Sequence, residues 1–189
     1  LSFATVMANL GVSTNLTAEA AATMLARFAN VTGMAPANYE RLGSVIVDLG
    51  NHFATTESEI VTMGQRLAAA GKLAGMTEPE IMALAAAMSS VGIEAEAGGT
   101  AMTQTMTAIE KAVSSGSDNL TKFAEISGMS AEQFSETWKN DPIVAIQAFI
   151  EGLGELDAKG ESATLMLDEM GLSGVRQGNM LKSLATASG

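Results

Sequence analysis

The side chains able to do acid–base, nucleophilic or metal chemistry are few and scattered. A single histidine, His52, lies in "LGNHFATTESEI". It has no HExxH context and no second histidine with which to share a metal, so a zinc-peptidase reading fails. Near the end of a helix its ordinary role is to face the C-terminal dipole or to mark a polar boundary. The serines lack a GxSxG elbow and have no His–Asp support beyond this one imidazole. The most tempting stretch is "EAEAGGTAM" (Glu94 to Met102). Glu94 and Glu96 precede two glycines, and Thr100 could cap a helix whose free N–H groups would hold an anion. A phosphate loop, however, wants a Lys beside the Thr and a strand before it; here Ala101 follows and a helix precedes. Paired carboxylates could serve glycoside hydrolysis, but no aromatic sugar platform surrounds them. The plainer reading is a flexible interhelical loop with solvated acidic side chains, and "SSGSDNLTKF" reads likewise as a loop and cap. No catalytic, cofactor-binding or metal-ligating residue is assigned, no cofactor is expected, and the chain is not expected to be an enzyme.

The elements that would have to position such residues are helical. Apolar residues Ile60, Met63, Leu67, Ala70 and Ala74 recur every three or four positions. So do Met102, Met106, Ile109 and Val113, and again Ile143, Ile146, Ile150 and Leu153. Strand-like alternation is nowhere sustained. "SVIVDLG" (Ser44 to Gly50) comes nearest, and its flanks, "YERLG" and "NHF", place it inside a helix. The expectation is an all-α fold, a multi-helix bundle or irregular helical array. Approximate helices are 2–10, 18–32, 38–54, 57–74, 78–91, 100–115, 118–127, 131–139, 142–158 and 161–170.

Composition narrows the classes further. The 189 residues suffice for one or two domains with a core. Hydrophobic residues make up 47%, but aromatics only 4%, and Met reaches 13 residues, so an adaptable Ala, Leu, Ile, Val and Met core is expected. The absence of Cys excludes disulfides, thiol nucleophiles and thiolate metal sites. Ten basic residues against 21 acidic ones, a net charge of −11, argue against direct nucleic-acid binding, which needs Lys and Arg to displace counterions. The longest apolar run, "IMALAAAM" (Ile81 to Met88), is under half of the roughly 18 to 20 residues of a membrane span, and the opening residues carry no basic n-region of a secretory signal. The chain opens at Leu1 without an initiator Met, so it is expected to be a segment of something longer.

Punctuation repeats along the chain. "LAGMTEPEI" (Leu73 to Ile81) stops one helix and starts another. Gly75 can take φ > 0 as the residue after the helix end. Thr77 is the N-cap, Pro79 sits in the first turn, Glu80 reaches back to complete a capping box, and Ile81 can touch Met76 as a hydrophobic staple. "ISGMSAEQF" (Ile126 to Phe134) repeats the device with Gly128, Met129, Ser130, Gln133 and Phe134, and "TTESEI" offers a further box, Thr56 with Glu59. "VTGMAPANY" and "EMGLSGVRQ" are degraded copies. The four glycines, Gly33, Gly75, Gly128 and Gly171, fall at intervals of 42, 53 and 43 residues, too irregular for a strict solenoid. One helix also carries a small-residue stripe, Gly64, Ala68, Gly71 and Gly75, suited to close approach by another helix within the chain or from a second one.

Three long strings carry a resemblance: "LTAEAAATMLARFANVTGM", "YERLGSVIVDLGNHFATTESEIVTMGQRLAAAGKLAGMTEPEIMALAAAMSSVGIEAEAGGTAM" and "FAEISGMSAEQFSETWKNDPIVAIQAFIEGLG". Together they resemble the core region of phage tail tape measure proteins, most specifically at "LGNHFATTESEI" and "SSVGIEAEAGGTAM". The resemblance implies that the chain, 1–189, is a single helical segment of a longer protein; two subdomains, 1–92 and 93–189, are the alternative division. It also implies a place in the virion tail lumen, after assembly in the host cytoplasm. The implied role is to set tail length, template assembly of the tail tube, and leave the tail during genome ejection. Implied partners are the tail tube protein, tail assembly chaperones and baseplate proteins, with self-association. A free-standing helical adaptor binding partner helices is the alternative.

Overall fold

Helix after helix begins where a polar side chain can take up orphan N–H groups and ends where the backbone can turn left-handed. The computed structural model describes residues 17–172 and 174–188. Among them it contains helices α1 (Ala18–Thr32), α2 (Tyr39–His52), α3 (Glu57–Ala74), α4 (Glu78–Ser90) and α5 (Ala95–Ser115). These are followed by α6 (Asp118–Ile126), α7 (Ala131–Asn140), α8 (Pro142–Ala158), α9 (Ala163–Glu169) and α10 (Val175–Ser188). A 3-10 turn, Pro36–Asn38, leads into α2. The described residues contain no strand, so the fold is all-α as the periodicity indicates. The helix expected at 2–10 lies outside the described residues.

The joints obey the capping chemistry. Gly33, Gly75, Gly128 and Gly171 take φ of 71°, 87°, 72° and 74°, where a Cβ would be strained. After Gly128, Met129 N donates to Ala124 O at 2.9 Å, and after Gly171, Leu172 N donates to Leu167 O at 2.8 Å, closing the helix ends. At the start of α4, Glu80 N donates to Thr77 Oγ1 at 3.3 Å while Thr77 N donates to Glu80 Oε1 at 3.1 Å. Ser130 and Gln133 form the same reciprocal pair at 2.9 and 3.1 Å. Thr77→Ala breaks both the hydroxyl bond and the box geometry. It is expected to cost about 1 kcal/mol in urea unfolding; an unchanged midpoint would mean that packing alone sets the start of α4.

Two expectations are corrected. Of the segment read as a loop, Ala95 to Gly99 is helical, so α5 begins at Ala95 rather than at 100. And α10 has no counterpart among the expected helices, which stop at 170. The signal for it was present: Met180, Leu181, Leu184 and Ala185 are buried at helical spacing, but "GLSG" and "NMLKSLATASG" dilute it with polar residues.

The chain divides into two compact units. Unit 1 extends to Lys72 and resumes over Thr77–Gly99; unit 2 takes Leu73–Met76 and the chain from Thr100 onward. Within unit 1, α2 packs on α4, and Leu25, Ile46, Ile60, Met63, Leu67 and Met82 are fully or nearly fully buried. Gly64 of the small-residue stripe is used inside the unit, where a Cβ would come within 2.5 Å of Met82 Sδ, whereas Gly75 is exposed with nothing near it. Within unit 2, α8 is the hub, packing against α6, α7, α9 and α10. Its core contains a cluster of aromatic rings. Phe123 stacks on Phe134 with centroids 5.9 Å apart and planes at 8°, and meets Phe149 edge-on at 5.1 Å and 62°.

Candidate functional site

Each residue with chemical potential has a definite place. His52 is the last residue of α2. Its Nδ1 lies 2.7 Å from Asp48 O and 3.3 Å from Asp48 Oδ1, and both side chains are 72% exposed, so the contact is a solvated one at the helix end. Among the described residues, no group of three or more His, Cys, Asp or Glu side chains could hold a metal ion.

Glu94 lines a shallow cleft of about 300 Å³ in unit 1 with Ser58, Glu59, Thr62, Ser89, Gly92, Ile93 and Ala95. Glu96 is not part of that lining. The acid that accompanies Glu94 is therefore Glu59, and its carboxylate is engaged in capping. Glu59 Oε2 accepts from Thr55 Oγ1 at 2.7 Å and from Thr56 N at 3.3 Å, while Thr56 Oγ1 accepts from Glu59 N at 3.2 Å. This is the Thr56–Glu59 box read from "TTESEI". Thr100 lies within α5, not at its start.

The polar contacts that sequence reasoning missed all pin helices. Thr105 and Gln177 are buried, 1% and 7% exposed, 72 residues apart in the chain. Gln177 Nε2 donates to Thr105 Oγ1 at 2.9 Å, and Thr105 Oγ1 donates to Ala101 O at 2.9 Å, fixing α10 on α5 within unit 2. Trp138, 1% exposed, donates its indole N–H to Glu110 Oε2 at 2.6 Å, fixing α7 on the same helix. Asn119 Nδ2 donates to Met170 O at 3.1 Å and so caps the C-terminal end of α9 from α6. No short-range pattern announces these pairs, because their partners are brought together only by folding.

The Trp138–Glu110 bond is short and charge-assisted. Trp138→Phe is expected to cost about 2 kcal/mol by loss of that bond and of ring area. Glu110→Gln, which keeps an acceptor, should cost under half as much. Urea unfolding followed by circular dichroism reads both; equal losses would show that the carboxylate charge, not the acceptor, is what matters.

The described residues thus define an all-α protein of short capped helices whose polar contacts position helices against one another. The chain belongs to the phage-related minor tail protein family, whose model matches residues 1–187. It is accordingly a structural component of the phage tail, with its place in the virion tail. No curated protein and no solved structure matches it.

Proposed function

We propose that this chain is a segment of the tail's tape measure protein. The reading is supported chiefly by the strings "LGNHFATTESEI" and "SSVGIEAEAGGTAM", which resemble the tape measure core and lie inside a chain of tail-family membership. In this reading the segment occupies the tail lumen and contributes to the length that templates the tube. It meets the tail tube protein, assembly chaperones and baseplate proteins, self-associates, and leaves during genome ejection. It has no catalytic role. Its excess of 21 acidic over ten basic residues keeps it from adhering to the DNA that follows through the same channel.

A continuous helix of 189 residues would extend on the order of 280 Å at 1.5 Å per residue. The capped joints break that rod into short helices, so the ruler function belongs to the longer protein rather than to this folded segment alone. The test is to duplicate or excise residues 1–189 in frame within the parent chain and measure tails in micrographs. Tail length is expected to rise and fall with the parent chain. Tails of unaltered length with either variant would rule the reading out and leave a tail component of another kind.

A further inference from the structure

Helix α5 carries two starts in its sequence, and the structure uses the first of them. The helix begins at Ala95, with Gly98 N donating to Glu94 O at 2.8 Å. It then takes two glycines, the residue least favourable to a helix interior after proline. Unit 1 is what holds them helical. Both are buried: a Cβ at Gly98 would overlap the Ile93 methyl and approach Met63 Cε to 3.6 Å, and a Cβ at Gly99 would lie 2.5 Å from Arg66 Cβ. The boundary between the two units falls directly after Gly99. The next residue, Thr100, is exposed and of the type preferred as an N-cap. Beyond it Ala101, Met102, Thr105, Met106 and Ile109 are buried, and Thr105 and Glu110 make the bonds to Gln177 and Trp138.

We infer that Gly98–Gly99 is a built-in break point in α5. When the packing of unit 1 is lost, the helix unwinds as far as Thr100, whose hydroxyl then caps the shortened helix, and unit 2 keeps its core and its polar pins. The two units therefore open in sequence rather than as one block. Unit 1 opens first, because among its described residues Phe28 is the one fully buried ring, set among Met, Ala, Leu and Ile, whereas unit 2 is held by the contacting rings Phe123, Phe134 and Phe149 and by Trp138. The inference is independent of the tape measure reading.

The amides locate the break. Unwinding to Thr100 frees the N–H groups of Gly98 to Thr103, whose helical acceptors lie at Glu94 to Gly99, while Gln104 N keeps Thr100 O. Native-state hydrogen exchange of the whole chain, followed by NMR across low urea, is the experiment. Gly98 to Thr103 are expected to open with α3 and α4, and Gln104 to Ser115 with α8 at higher urea. Exchange of Gly98 to Ser115 as one cooperative block would overturn the inference, and so would opening of Gly98 to Thr103 at the urea concentration that opens α8.

Discussion

Phe149→Ala is expected to lower the stability of unit 2 by about 4 kcal/mol, the largest effect of any single side-chain truncation considered. Phe149 is 0% exposed and sits on α8, the helix that packs against α6, α7, α9 and α10. Its ring meets Phe123 edge-on at 5.1 Å, and Phe123 in turn stacks on Phe134. Truncation removes the transfer energy of the ring and the quadrupole contact, and it leaves a cavity. Collapse around that cavity is resisted because α8 already touches α6 backbone-to-backbone at Gly152 and cannot move closer there. The chain's one tryptophan, Trp138, is buried in unit 2, so its fluorescence follows this unit specifically. The urea midpoint read by Trp138 should fall steeply, and Phe149→Leu should recover more than half of the loss. A drop below about 1 kcal/mol would mean that the hub can close over the void.

The second large effect turns on the sign of a glycine substitution. Helix propensity alone says that Gly152→Ala, inside α8, should stabilise by about 1 kcal/mol. The packing says otherwise. A Cβ at Gly152 would fall on the main-chain oxygen of Ile126, with Ile126 C at 2.7 Å and Ile126 Cγ2 at 3.0 Å. The obstacle is backbone at the end of α6 and cannot rotate away as a side-chain tip would. Gly152→Ala is therefore expected to destabilise unit 2 by about 3 kcal/mol, again read through Trp138. Gly64→Ala, on α3, faces the flexible thioether of Met82, which can shift, and should cost well under half as much. A stabilising Gly152→Ala would show that α6 and α8 can separate freely. Phe149 and Gly152 are neighbours on one helix, so their combined loss should fall short of the sum.

The helical class and most helix boundaries were legible because their causes are local. A cap, a left-handed glycine and a period of 3.6 act over a few residues, and each of the capping boxes at Thr56, Thr77 and Ser130 forms as its spacing dictates. The misreading at Ala95 to Gly99 has the opposite cause. Two glycines followed by threonine read locally as a loop and a cap, yet close packing on Met63, Ile93 and Arg66 makes the glycines necessary in a helix. The absence of a reactive constellation was an expectation from residue types, whereas the structure shows what the polar residues do instead: Glu59 caps, Glu110 receives Trp138, and Thr105 receives Gln177.

By itself the sequence determined where most helices start and stop, that the core would be rich in Met and Ala, and that acidic residues would outnumber basic ones. These follow from backbone sterics, short-range hydrogen bonding and counting charges. Only the tertiary structure decided that α8 is the hub of unit 2, that Phe123, Phe134 and Phe149 meet there, and that α5 runs through its glycine pair without a break. Those outcomes depend on contacts between residues far apart in the chain, whose packing energies no local pattern encodes.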